Sequence, residues 1–399
     1  MPKIKRHILW KLFIVTAIIV IAAGLLLFKL YVYKMPESRK ILSFNDWYLN
    51  LKVDKTESKQ AVEYSRSIES PYLLIDTIFR SMEGPMTAKE VFINDQITKI
   101  IGSAFLPELL WITGYKVELF DDKNNRLTYD FMCHNNLNIG KNNVLPWKIN
   151  TLGTDKRLFT LTEGQTEIHL PEHYGIPVMS NQRLRVDFQV LNHNQFPVNV
   201  KVKQRVTIYY KRNTEISESM RALYQQSIFV CKQVAGPRGD FNEEPSLNAD
   251  TLINSQDLLK VCCSNTGLDM KDGYPFLDNY KREFTGHWVL SDSLETTHTD
   301  VTRMLNLSTN TLVHFFSVHV HPFCKSLELI DNTTGLCIYK AEMVNFKDKV
   351  GLEMIPLKST SDGILLYSNH NYKLVSIYNK TRPERHTAMA SMYLYCEEK

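Results

Sequence analysis

The sequence has no Gly-rich phosphate loop, no His-Glu-x-x-His pair and no Gly-x-Ser-x-Gly elbow. Nucleotide-loop, zinc-protease and serine-hydrolase chemistries therefore have no motif to start from. Charge of one sign is not in excess either. The 47 Lys and Arg against 43 Asp and Glu leave a formal net charge of +4, spread along the chain. That pattern lacks the footprint of a nucleic-acid binder. Short-period repeats and low-complexity tracts are absent too. With 44% hydrophobic and 23% charged residues, the 399-residue chain has the composition of a folded protein and the length for two well-cored domains.

Long apolar runs are absent but for one. Leu12 to Phe28 carries no charge, and with its shoulders from Ile8 to Tyr33 it is long enough to cross a bilayer. Lys3, Lys5, Arg6 and Lys11 precede or open it, so the positive-inside rule leaves the amino tail cytoplasmic. The bulk of the chain is then periplasmic, extracellular or lumenal. A cleaved signal peptide is the alternative, but Ala22-Ala23-Gly24 runs on into more apolar sequence instead of a polar mature start. An uncleaved signal anchor over 1–34, followed by a polar stalk over 35–64, is the expected arrangement. Seven cysteines (Cys133, Cys231, Cys262, Cys263, Cys324, Cys337 and Cys396) allow disulfides in an exported domain and leave one unpaired. Cys231 with Cys262 or Cys263 is a candidate staple.

Beyond the stalk, alternation with period two dominates the chain. Tyr115–Phe120, Thr166–Leu170, Leu184–Val190 and Val198–Tyr210 place apolar and polar residues on opposite faces, as half-buried antiparallel strands require. Leu191–Pro197 reads as the turn between two of them, with His193 at the mouth of a hairpin. Residues 217–282 break the pattern with Gly236-Pro-Arg-Gly239, Glu243-Glu-Pro245 and Asp272-Gly273, and read as a linker or insertion of loop and short helix. Strand signals resume at Gly286–Leu290 and continue through Ser326–Ile330, Gly363–Tyr367, Tyr372–Tyr378 and Ser391–Tyr395. No long amphipathic helix separates the strands. The expected fold is all-β, with one antiparallel sandwich over 65–216 and a second over 283–399.

Within Thr311–Cys324, a strand by composition, His319 and His321 are two residues apart and so share a face. Two neutral imidazoles held this way form a bidentate metal platform, although two histidines on an ordinary half-buried strand are the plainer alternative. Met389, Ser391 and Tyr393 share a face of a later strand. Two imidazoles with a thioether suit copper cycling between its two oxidation states and suit magnesium or calcium poorly.

With His319-Val-His321 followed by Met389 near the carboxyl end, the chain resembles the copper type II, ascorbate-dependent monooxygenases, the peptidylglycine α-hydroxylating and dopamine β-monooxygenase family. The resemblance spans 65–399 apart from the insertion. It implies two consecutive jelly-roll-like β-sandwiches, one copper in each, a solvent-filled cleft between them, and ascorbate or another reductant. The second copper would be held by His319, His321 and Met389. The first would be held by a His-His pair and a later histidine, matched by His134 and His193, with Asn135 standing where the second histidine belongs. Ser317 replaces an arginine that grips a substrate carboxylate and Ser391 replaces an asparagine, whereas Tyr393 is kept. A peptidylglycine is thus not the implied substrate. His173 and Cys133 are conceivable substitute ligands, each with a plainer reading as a surface-loop histidine and a buried structural cysteine. The expectation is a membrane-anchored copper monooxygenase that hydroxylates a C–H bond with dioxygen at His319, His321, Met389 and Tyr393. Non-catalytic copper handling with a degenerate first site, and a metal-free interaction module, are the alternatives.

Overall fold

The computed structural model describes residues 54–57, 62–70, 72–75, 93–102, 106–139, 156–192, 200–216, 219–244, 252–254, 276–291, 294–383 and 386–397. The expected anchor over 1–34 lies outside them, as does most of the stalk. Among the described residues no helix is long and apolar enough to cross a membrane.

The strands that position the site are β1 (Val62–Glu69), β2 (Ile93–Lys99), β3 (Leu109–Phe120), β4 (Met132–Ile139), β5 (Lys156–Thr162), β6 (Tyr174–Met179), β7 (Leu184–Val190), β8 (Val200–Arg212) and β9 (Arg221–Phe229). They continue with β10 (Leu294–Asp300), β11 (Thr311–Val320), β12 (Cys324–Asp331), β13 (Leu336–Glu342), β14 (Lys358–Leu366), β15 (Tyr372–Asn379) and β16 (Ala390–Glu397). The architecture is all-β, as the alternation predicts.

One long sheet runs β1-β8-β3-β6-β9-β16-β11-β14. Its neighbours on this path are antiparallel except at β6–β9, where Tyr174 faces Arg221 in parallel register. Two four-stranded sheets, β2-β7-β4-β5 and β10-β15-β12-β13, complete the two cores. In the first core Val117 and Ile208 of the long sheet pack with Leu137, Phe159 and Phe188. In the second, Phe316, Val318 and Met392 pack with Leu327 and Leu374. Each core is built from the apolar alternate positions of facing strands.

Three expectations are corrected. The stretch read as loop and short helix over 217–282 contains β9, which pairs with β16 from Leu223–Glu397 to Phe229–Ser391 and carries the long sheet from one core to the other. The hairpin expected around Leu191–Pro197 does not form, because β7 pairs with β2 and β4 whereas β8 pairs with β1 and β3. That connection passes between sheets. Cys133, Cys231, Cys324, Cys337 and Cys396 are thiols outside any disulfide, so the expected staple at Cys231 is not made; Cys262 and Cys263 lie outside the described residues.

Strand β11 is buried on both faces. A bulge between Val313 and Phe315 resets its alternation. Phe315 then enters the first core while Phe316, Val318 and Val320 enter the second. On β16, Tyr393 and Tyr395 turn to the first core, and Met392 and Leu394 to the second. Phe159 stacks on Tyr115 at 5.8 Å and on Tyr395 at 5.6 Å, so three rings lie together at the centre of the first core. Phe159→Ala should therefore cost about 3–5 kcal/mol, read from urea unfolding. A change inside the roughly ±0.5 kcal/mol of surface substitutions would show that this stack does not hold the first core together.

Candidate metal centre

His319 lies on the β11 face that turns to the first core, and is 4% exposed. Its partner across the pair is Ser391, and Ser317 faces Tyr393 in the same register. All of these side chains are on one face, since opposed residues in an antiparallel pair share a side. His321 follows the end of β11. Its N–H reaches the Met389 carbonyl at 3.2 Å and the Tyr378 hydroxyl at 3.3 Å, while the Tyr378 O–H donates to the same carbonyl at 2.6 Å. The structure thus brings the main chain of Met389 beside His321 and sets His319 opposite Ser391.

Three further groups join them. His134 of β4 stands edge-on to His319 with ring centroids 5.4 Å apart, close to the 5.6 Å between His319 and His321. His287 stands edge-on to His321 at 5.1 Å. The short pair Trp288–Val289 with Thr387–Ala388 positions it there, and Thr387 also holds His321 Nδ1 through its carbonyl at 3.1 Å. That contact sets the tautomer with the lone pair on Nε2, the usual way a ligating imidazole is oriented. The third group is Glu163, whose Oε2 accepts from the Leu352 N–H at 3.1 Å. Gly351, with φ +147°, leaves room for that carboxyl, because a Cβ there would lie 2.6 Å from Oε1.

Of these groups, His319, His321 and Glu163 wall a cavity of ≈ 30 Å³, together with Cys133, Leu352 and His386. That is room for a water, a metal ion or a diatomic gas, far below the roughly 300 Å³ at which organic-ligand pockets begin. His319 Nδ1 and Glu163 Oε1 have no hydrogen-bond partner among the described residues. Burial, then Arg157 and His321, lowers His134 to about 3. Burial, then His134, Arg157 and His287, holds His319 well below the ordinary histidine value. Both imidazoles are neutral at physiological pH and keep lone pairs for a metal. Among the described residues, no three His, Cys, Asp or Glu side chains are grouped so that they could hold a metal ion between them.

No protein-family model matches this chain, and no curated protein is similar to it in sequence. Among solved structures, the chain is similar at a distance to N-glycanase F, with 7% identity over 83% of this chain and 95% of that one at a TM-score of 0.33. A second structure of that kind, a peptide-N(4)-(N-acetyl-β-D-glucosaminyl) asparagine amidase, gives 8% identity, 84% and 97% coverage and a TM-score of 0.32. A putative secreted protein from Parabacteroides distasonis gives 10% identity, 86% and 92% coverage and a TM-score of 0.20. Likeness this distant assigns no activity.

Of the first expected copper site, His134 and Asn135 fall among the described residues. Asn135 is 0% exposed on the opposite face of β4 from His134. Its Oδ1 accepts from the Tyr115 hydroxyl and its Nδ2 donates to Gln204 Oε1 at 2.8 Å, so its amide is spent inside the first core. His193 lies outside the described residues. His173, at φ +67°, is an exposed loop residue beside Glu172, in keeping with its plainer reading. Spacing alone does not reveal His287 or Glu163. Their only sequence signal is position, one before a tryptophan-led strand and one at a turn after β5.

Burial pushes Glu163 up to about 8 from an ordinary 4.5, with Asp130 adding to the rise and the Leu352 N–H and Lys349 opposing it. The folded chain therefore holds a proton here that the unfolded chain has released between those values. Its contribution to stability is intact below the unfolded value and is lost as pH rises toward 8, at about 1.4 kcal/mol per pH unit. Glu163→Gln should flatten this slope and stabilise the protein above pH 8. Urea midpoints that fall with pH equally in both proteins would rule the assignment out.

Proposed function

We propose that this chain binds copper at one histidine-rich centre where the two cores meet, and that the centre serves copper binding or handling. The observation that carries this reading is the edge-to-face contact of His134 with His319 at 5.4 Å. The resemblance would keep those two histidines in separate sites across a cleft. Adjacent neutral imidazoles suit copper, and the half-buried Met389, whose carbonyl accepts from the His321 N–H, would add a soft thioether. His319 and His321 would hold the metal, with Met389 as the weaker ligand. His287 packs on His321 and limits how its ring can turn. The metal supplies redox chemistry when bound; the protein orients the ligands and keeps water scarce.

The cavity has room for a metal ion, which is all that copper handling requires. Copper-dependent monooxygenation is the second reading, and one observation favours it. Glu163, about 93% buried on the cavity wall and holding a proton to about pH 8, places a proton donor at Oε1 beside the metal platform. Dioxygen chemistry consumes protons. Tyr393, buried on the His319 face, would line such a site, and ascorbate would be the reductant. In both readings the chain is an anchored protein with two sandwiches outside the membrane, supported by the apolar run at 12–28 and by the two separate cores.

Elemental analysis of the full-length chain should find one copper, lost in His319→Ala and bound more weakly in Met389→Ala. Two coppers per chain would defeat the single-centre reading. Oxygen uptake with ascorbate separates the two uses. Uptake indifferent to every candidate organic substrate fits handling, whereas substrate-coupled uptake abolished by His319→Ala establishes the monooxygenase.

A further inference from the structure

Strand β4 has an irregularity next to the centre. Against β7, Gln189 pairs with His134 and Val190 with Met132, which leaves Cys133 as the extra residue of a β-bulge. A bulge can turn two consecutive side chains to one side of a sheet. Here Cys133 Sγ lies 3.4 Å from His134 Nδ1, a distance that two neighbours on a regularly alternating strand do not reach. The pair presented to the centre is therefore Cys133-His134 and not His134-Asn135.

Cys133 is on the cavity wall together with His319, His321 and Glu163. Two polar side chains there point to a ligand independently of the cysteine. His319 Nδ1 and Glu163 Oε1 lack partners although their residues are only 4% and 7% exposed. Charge points the same way. A cation held by neutral donors alone would keep its full charge in this buried cavity. A thiolate would cancel the charge of a monovalent metal.

We propose that Cys133 is a thiolate ligand of this centre, so that one soft cation, cuprous copper, is bound by sulfur from the first half and imidazole from the second. The inference rests on the metal-centre reading above. As the sulfur–metal bond forms, the thiol S–H breaks and its proton leaves to solvent; no electron is transferred. Thiolate ligation selects the cuprous state, which suits holding or passing on copper. The metal would also tie β4 to β11, so copper loading should raise the melting temperature.

The test uses the full-length chain, cuprous ion competed by a chromophoric chelator, and Co(II) as a spectroscopic probe. Wild type should bind one metal and show a near-ultraviolet sulfur-to-Co(II) band. Cys133→Ser should lose the band and the metal-dependent rise in melting temperature. It should also weaken binding by more than the roughly 10–100-fold that loss of an outer partner costs. Equal affinity and no band in either protein would overturn the ligand and leave the centre standing, while no metal uptake by wild type would overturn both. If Cys133→Ser does not fold, the Cys262→Ser/Cys263→Ser double variant decides. A retained band supports Cys133, and a lost band places the sulfur elsewhere and overturns it.

Discussion

The bulge between Val313 and Phe315 governs which core each later side chain of β11 enters. Because the strand is covered on both sides, one residue of slip would exchange the two faces. Phe316 and Val318 would leave the second core, and His319 would turn away from His134. Register in such a strand is held by two cores at once, which makes it a rigid base for ligands. The neighbouring β16 obeys the same constraint, with tyrosines on one face and Met392 and Leu394 on the other. Rigidity of this kind is what a site needs if its donors come from strands far apart in sequence.

The strands were legible because their alternation is local. Leu184–Val190 reads as a strand from the sequence and is β7 in the structure with the same limits. The strand that carries His319 was legible for the same reason. What was not legible depends on long-range pairing. Nothing in the composition of 217–282 marks Arg221–Phe229 as the strand joining the two cores, since its role comes from pairing with β16 near the chain's end. Leu191–Pro197 looks like a hairpin turn, but turn residues do not say whether the next strand returns to the same sheet.

The bulge at Cys133 defeats sequence reasoning more directly. Strict alternation sends Cys133 and Asn135 to one face and His134 to the other. The structure sends Asn135 into the first core, where Tyr115 and Gln204 satisfy its amide, and brings Cys133 beside His134. A motif comparison that aligns His134 with the first histidine of a pair therefore looks one residue too far along the strand. His287 escaped for a related reason, because it reaches His321 only through the pairing of Trp288 with Ala388.

Burial and charge at the centre pull in opposite directions. Removing His134 and His319 from water keeps both rings neutral, and the same desolvation keeps Glu163 protonated to about pH 8. A site with only neutral donors would resist a cation, since taking a charge out of water is costly unless an opposite charge comes with it. Three outcomes balance that cost: water alone in the cavity, a metal with ionised Glu163, or a metal with the Cys133 thiolate. Ionising Glu163 is opposed by burial and then by Asp130, and aided by the Leu352 N–H and Lys349. The thiol gives the soft anion that copper prefers, and the bulge already turns it to the side of the sheet where His134 meets His319. On this balance, the feature of the chain that departs furthest from the monooxygenase pattern is also the one that makes a bound metal electrostatically tolerable.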